Sequence, residues 1–334
     1  MKKLLILTIS LILCVCPTFA LGCFNPNANK VNVKYYADAS KISPLILAGT
    51  ETIGLIPEPA VSVLESNAQK QGKTLYRMDL QELYDKDAKA YPQAVLMVKK
   101  SVIGAHQNLS ATLQSKITES VLWAKENINS AVTSISNHGA TTLDASKLSA
   151  TAIDGCKIFW QSPSQAKQSV KDYVNGIIEI SSASASAVND DFFYANQTGE
   201  NQKQSYTFVT PDGAPAIAIS KLMNDGDTLG TGKNVNYSVI TAGEVRNNFV
   251  TGNADFILAP VNMASQFYKT FDANDPYLMV AVITHGNFYI VSTEPLSVKD
   301  LVGKRVAVPN KGAVPDWTFQ MALKKHGLQC EIME

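Results

Sequence analysis

Short apolar runs bounded by turn residues alternate along the chain with segments whose apolar positions recur every three or four residues. "VNVKYYA" (31–37) reads as a strand, "SKISPLILAG" (40–49) as a helix stopping on Gly49, and "TIGLIPEP" (52–59) as a second strand, with "AVSVLESNAQ" opening the next helix. Strands that alternate with helices predict a parallel sheet covered on both faces, an α/β fold. "YPQAVLMVKK" (91–100) is a further strand. Leu109, Leu113, Ile117, Val121, Ile128, Val132 and Ile135 keep largely to i+3/i+4 spacing, which predicts one long amphipathic helical stretch packed on the core. Another helix spans about 164–180, with Val170, Tyr173, Val174 and Ile177 on one face. "SSASASAVNDD" and "ANQTGENQKQ" break the pattern, and the second (195–204), polar and without aromatics, reads as a flexible linker. Beyond it strand–helix units resume as far as "RVAVPNKGAVPDWTFQMALKKHGLQCEIME": a strand, a glycine-containing turn and a helix stopping at Gly327, with no strand expected after it.

The first strand therefore lacks a preceding unit, and the last helix lacks a following one. An internal repeat resolves this. "VNYSVITAGEVRNNFVTGNADFILAPVNMA" (235–264) aligns with residues 31–61, and Gly252 to Pro260 is eight residues, as is Gly49 to Pro57. "FVTPDGAPAIAISKL" likewise parallels "AVPNKGAVPDWTFQMAL". One copy is complete from residue 208 onward. The other has its first unit at 305–327 and the rest at 31–64, so the strand missing after Leu328 is the one at Val31. The chain reads as a circular permutant, which is tolerated when old termini lie close and new ones are exposed.

The stretches "TPDGAPAIAISKLM", "ITHGNFYIVS", "DLVGKRVAVPNKGAVPD", "LAGTETIGLIPEP", "YPQAVLMVKK" and "DDFFY" resemble, in rotated order, the solute-binding lipoproteins of nitrate/sulfonate/taurine and thiamine-pyrimidine ABC importers. The resemblance covers nearly the whole chain after its first segment. It implies a type II periplasmic-binding-protein fold, with two lobes and a hinge. One lobe would be 91–284, the other 31–90 plus 285–334, with crossovers near Tyr91–Ala94 and His285–Tyr289 and ligand-driven hinge closure. It also implies a small-molecule ligand, ABC permease subunits as partners, a monomer, and no cofactor.

In open α/β sheets, ligands sit beyond the carboxyl ends of the strands. Six strand ends here lead into helix starts, whose unpaired N–H groups can hold a ligand. They place Asp212, Gly213 and Ala214, Thr241, Asn262, Asn310 with Gly312 and Ala313, Ser40, and Glu58 at the site. Gly213 and Gly312 let backbone approach a ligand closely. Plain turn chemistry and N-capping by Asp212 and Ser40 is the competing account. At the crossovers, His285 either stacks on a planar ligand or serves the hinge, and Tyr91 walls the cleft. Trp317 reads as core, and His106, His138 and His326 as surface residues. Asp212 and Glu58 offset the helix dipoles, and Lys311 is the only basic residue on these loops. That balance disfavours nitrate or sulfonate and favours a neutral or cationic donor-bearing heterocycle resembling an aminopyrimidine.

Composition changes this picture only at the N-terminus. The 334 residues are 46% hydrophobic, and 29 basic against 29 acidic residues leave no excess to attract nucleic acid or anionic lipid. Lys2 and Lys3 precede an apolar run, Leu4 to Cys16, suited to a signal h-region. Ala20-Leu21-Gly22-Cys23 is similar to a bacterial lipobox, although leucine is usual where Ala20 stands. Segment 1–23 is thus expected to be a signal peptide and 24–30 a tether, with Cys23 acylated as the membrane anchor. Ordinary cleavage after Ala20 is the alternative. Either way the protein is exported, facing the periplasm or cell surface of a bacterium. Cys156 reads as a buried small hydrophobe, with a Cys156–Cys330 disulfide left open. The rival functions are a thiamine-pyrimidine-synthase-like enzyme, which lacks its cysteine-rich iron motif here, and an orphan ligand sensor. A degenerate fusion of truncated copies would lack a complete second lobe.

Overall fold

The computed structural model describes residues 29–333. The expected signal peptide, the lipidation site Cys23 and residues 24–28 of the tether lie outside the described residues. Twelve strands follow in chain order: β1 (Lys30–Tyr36), β2 (Ile53–Pro57), β3 (Tyr76–Asp79), β4 (Ala94–Lys99), β5 (Ile158–Gln161), β6 (Ser205–Pro211), β7 (Asn234–Ile240), β8 (Phe256–Pro260), β9 (Tyr277–Thr284), β10 (Phe288–Ser292), β11 (Arg305–Pro309) and β12 (Gln329–Ile332). They form two six-stranded sheets, in the orders β12-β1-β11-β2-β10-β3 and β7-β6-β8-β4-β9-β5.

The head of the chain pairs with its tail. Asn32 to Tyr36 run parallel to Arg305 to Pro309. In the other sheet Ser205 to Pro211 run parallel to Asn234 to Ile240, so the proline ending β6 is level with the end of β7, as Pro309 is with the end of β1. The correspondence continues outward. β11 lies parallel to β2 and β6 to β8, while β2 meets β10 and β8 meets β4 antiparallel. The two sheets thus share a run of five strands, β1-β11-β2-β10-β3 in one and β7-β6-β8-β4-β9 in the other, in which β11 stands where β6 does; β12 and β5 are added at opposite edges without counterparts.

Four expectations need correction. The sheets are mixed rather than parallel, because β4 and β10 enter each sheet from the other half of the molecule and run against its βαβ units. A strand does follow the last helix: β12 pairs parallel to the outer edge of β1. It is short, and its register is pinned by the Lys30–Glu331 ion pair at 2.6 Å. The long helical stretch is two helices, Leu109–Glu126 and Ile128–Asn137. At Asn127 the side-chain amide competes with the backbone, donating to the Trp123 carbonyl at 3.0 Å. Finally, segment 195–204 has no regular structure but is packed. Asn201 donates to Ser101 Oγ, Lys203 pairs with buried Asp255 at 2.7 Å, and the Gly199 backbone lies against the helix Lys100–Ala105.

The chain passes between the sheets twice, at 85–93 and at 285–287. All eight residues of β9 and all five of β10 are buried, the continuous apolar pattern of strands covered on both faces. Behind the passes, one core joins both sheets. Tyr91 stacks on Tyr173 with centroids 5.4 Å apart, and Tyr84 packs edge-on against both. The Tyr173 hydroxyl is 2.6 Å from Thr318 Oγ1, tying the helix Pro163–Ile180 to the helix Val314–Lys325. Trp317 lies in this core, as expected.

The packing of segment 195–204 is tested by Gly104→Ala. Alanine improves helix propensity by about 1 kcal/mol, but its Cβ would lie 2.4 Å from the Gly199 backbone nitrogen. Overpacking against backbone dominates, and urea denaturation should show a net loss of about 1–2 kcal/mol. A gain would mean that the segment yields as a free linker.

Candidate functional site

The carboxyl ends of the βαβ strands of both sheets face one cavity of about 970 Å³. Asp38 to Ser40 follow β1 and Glu58 to Ala60 follow β2; Pro211 to Ala214 end β6 and Pro260 ends β8. The floor is formed where the passes meet: Gln93 and Ala94 on one, Thr284, Asn287 and Phe288 on the other. Pro44, Leu47, Val63, Leu64 and Val314 make the walls largely apolar, and the loop between the helices Ile128–Asn137 and Ala150–Gly155 adds Thr142, Leu143, Lys147 and Leu148.

Five of the expected residues, Asp212, Gly213, Ala214, Ser40 and Glu58, line this cavity. Gly213 has φ +92° and ψ −142°, a conformation close to one that only glycine adopts readily. The two carboxylates are not free, however. Asp212 accepts from the Thr141 hydroxyl at 2.6 Å, from the Thr142 amide at 2.6 Å and hydroxyl at 2.9 Å, and from the Gly213 amide at 2.7 Å. Glu58 accepts from the Ser62 hydroxyl at 2.8 Å and from Arg77 Nη1 at 3.1 Å. Burial pushes the Glu58 carboxyl above the usual carboxylate range, while Ser62 and Arg77 pull it back. Ser40 donates to Asp38, and Lys147 pairs with Asp144 at 3.0 Å. Glu58 and Lys147 are paired within the protein, with Arg77 and Asp144, while Asp212 keeps its charge among neutral hydroxyl and backbone donors that engage both its oxygens.

The other seven stand off the wall, each for a local reason. Thr241 is exposed and closes a capping box with Glu244 at 2.8 Å. Asn262 turns away and donates to the Ser184 carbonyl at 3.0 Å. In the loop after β11, the amides of Asn310, Gly312 and Ala313 are spent internally, on the Tyr36 carbonyl, the Asp316 carboxylate and the Asn310 carbonyl. Asn310, Gly312 and Ala313 do not line the cavity. Tyr91 is buried in the tyrosine stack. His285 faces away from the cavity side taken by its neighbour Thr284, with its ring stacked on Phe159 at 3.5 Å between centroids.

The residues that sequence reasoning missed sit beside those it chose. Gln93 is two residues from Tyr91, and Thr284 and Asn287 flank His285 and Gly286. The signal in the sequence is the crossover positions themselves, where ring side chains stand next to the amides and the hydroxyl that line the cavity. Gln93 donates its backbone N–H to the Thr284 carbonyl at 2.9 Å and its side-chain Nε2 to Asn287 Oδ1 at 3.2 Å. Asn287 Nδ2 donates to the Glu58 carbonyl at 2.8 Å.

Elsewhere, Cys156 and Cys330 are free thiols rather than a disulfide; burial pushes the first up, and the second to about 12. His326 is exposed, but His106 and His138 are half-buried, His106 within 2.8 Å of the Tyr206 hydroxyl. Among the described residues, no group of three His, Cys, Asp or Glu side chains is placed to hold a metal ion, and no helix is long and apolar enough to cross a membrane.

No family model matches the chain, and no curated protein matches it in sequence. The solved structures to which it is similar include NikA from Brucella suis in complex with Fe(III)-EDTA, at 12% identity and TM-score 0.33, covering 78% of this chain and 57% of that one. They also include the oligopeptide-binding protein AppA from Bacillus subtilis in complex with a nonapeptide, at 9% identity and TM-score 0.30, covering 77% of this chain and 54% of that one. The chain spans a little over half the length of each. At such scores the likeness carries no weight for fold or function, which rest on the strand order and the cavity.

Burial holds the His285 imidazole down, at about 4 against an ordinary 6.5. The unfolded chain therefore takes up a proton that the folded one refuses, and stability falls as pH drops from about 6.5 toward 4. This one group accounts for up to about 3 kcal/mol over that window. His285→Phe keeps a ring against Phe159 without the titration, so chemical denaturation should show a flatter pH profile over that range, whatever the variant's absolute stability. An unchanged profile would remove His285 as the cause.

Proposed function

We propose that the chain is an extracytoplasmic solute-binding protein of an ABC importer, of the nitrate/sulfonate/taurine and thiamine-pyrimidine class in circularly permuted order. Residues 91–284 form one lobe, 31–90 with 285–334 the other, and the type II binding-protein fold holds the ligand between them. Cys23 is lipidated and tethers the protein to the exported face of the membrane, where permease subunits receive the ligand. The observation that carries this reading is that two sheets sharing a run of five strands in the same order are joined by two passes, and both passes floor one cavity faced by the strand ends. A clamp that closes on a solute needs that arrangement.

The ligand is a small, neutral, donor-bearing heterocycle, with an aminopyrimidine as the type. Apolar walls suit a flat ring. No arginine lines the cavity, and its one lysine is already paired with Asp144, which leaves an oxyanion without a counter-charge. A synthase-like enzyme on the same fold would need an activated acid–base pair or nucleophile. The wall carboxylates Asp212 and Glu58 are instead spent in structural hydrogen bonds, which favours binding over catalysis.

Thermal-shift titration of the mature chain tests the reading. A ligand at about 100 times its Kd adds about 2.7 kcal/mol, a rise in Tm of roughly 4 °C for a chain of this size. 4-Aminopyrimidine should raise Tm, while taurine and nitrate should not. Stabilisation by taurine or nitrate alone would overturn the ligand class, and stabilisation by no small polar solute would overturn the solute-binding function.

A further inference from the structure

Among the described residues, six buried side-chain polar atoms have no hydrogen-bond partner. Natural proteins keep few such atoms, because an unpartnered buried donor or acceptor bears its full desolvation cost. Four of the six lie together, at the passes between the sheets and on the short helix Leu80–Tyr84 beneath them: Gln81 Nε2, Tyr91 Oη, Gln93 Oε1 and Thr284 Oγ1. The clustering sets them apart from Ser134 and Asn262, which are scattered. Two of the four, on Gln93 and Thr284, belong to residues that line the cavity.

Their surroundings explain why neither is satisfied from within. The Gln93 amide is oriented by its Nε2 bond to Asn287, and Asn287 is held in turn by the Glu58 carbonyl, which leaves Gln93 Oε1 with both lone pairs idle. Thr284 is fully buried at the end of β9, and its carbonyl is taken by the Gln93 N–H. Its hydroxyl, able both to donate and to accept, has no partner.

Building on the solute-binding reading above, we infer that Gln93 and Thr284 are the recognition pair of the cavity. Gln93 Oε1 accepts a hydrogen bond from an exocyclic N–H of the ligand, and the Thr284 hydroxyl donates to the adjacent ring nitrogen. Both atoms lie just beneath the cavity surface, so on binding the Thr284 side chain turns toward the ligand, while the Gln93 amide moves together with Asn287 and keeps its bond to it. The pair selects an edge that presents a donor beside an acceptor, as an amino group next to a ring nitrogen does. It rejects nitrate and sulfonate, which bring only acceptors to the idle oxygen of Gln93. Asn287 is a positioning residue, setting which end of the Gln93 amide faces the cavity.

Isothermal titration with 4-aminopyrimidine, and with unsubstituted pyrimidine as the probe lacking the donor, tests this on the wild type and on T284V, T284S, Q93L and S134A. Ser134 carries an unpartnered buried hydroxyl away from the cavity and serves as the control. Losing one good hydrogen bond to a buried partner corresponds to about tenfold in affinity. T284V and Q93L should each weaken 4-aminopyrimidine by about that factor, T284S and S134A by less than about twofold, and pyrimidine should bind the wild type about tenfold more weakly. The melting temperature of ligand-free T284V should not fall, because the hydroxyl it removes bonds to nothing. A Thr284 that served only the fold would instead lower Tm and leave affinity unchanged. Equal affinity across all variants overturns the recognition pair and leaves the solute-binding function standing. Failure of the wild type to bind 4-aminopyrimidine overturns the pair together with the ligand class, and the remaining solutes then decide the function separately.

Discussion

The parallel pairing of β1 with β11 is the constraint on which the architecture depends. It joins residues more than 270 positions apart, seating Asn32 to Tyr36 beside Arg305 to Pro309. Without it, β1 would lose its inner neighbour and β11 one of its two, and the first sheet would split between β1 and β2. Val31 and Val33 are fully buried there, each worth roughly 1.5–3 kcal/mol on removal from water. That return comes only after a very long loop is closed, and closure entropy grows slowly with length. A head-to-tail sheet of this kind is therefore thermodynamically reasonable, although the order in which its contacts form makes it slow to assemble.

The same pairing creates the cavity. Once β11 sits between β1 and β2, the ends of β1 and β2 face those of β6 and β8, and the passes at 85–93 and 285–287 become a shared floor. Behind the floor, the Tyr84–Tyr91–Tyr173 stack and the Tyr173–Thr318 contact brace the halves against each other. Elsewhere between the halves, Lys157 reaches Asp79 at 2.7 Å and Tyr289 donates to the Gly155 carbonyl at 3.2 Å.

The electrostatics of the site follow from how its loops are held. Sequence places Asp212 and Glu58 at helix starts, and the wall does carry both. Their charge, however, serves the protein: Asp212 pins the 141–142 loop, and Glu58 anchors Ser62 and Arg77. The floor of the cavity is lined by neutral amide and hydroxyl side chains, those of Gln93, Asn287 and Thr284.

The pattern of apolar and polar positions determined most of the elements, the repeat and the two crossover positions. These are local or self-similar features: a strand's turn signals, a helix's period and the matched Gly-to-Pro spacings at 49–57 and 252–260 are all written in neighbouring residues. The antiparallel entry of β4 and β10, the added edge strand β12 and the docking of the largely exposed segment 195–204 were decided only by tertiary packing, since each depends on partners far along the chain. The same division runs through the site. Turn chemistry marked Asp212 to Ala214, Ser40 and Glu58. Sequence alone did not show that His285 turns toward Phe159 while Thr284 and Gln93 take the cavity face, because adjacent residues point to opposite sides and only the packed neighbours settle which side is empty.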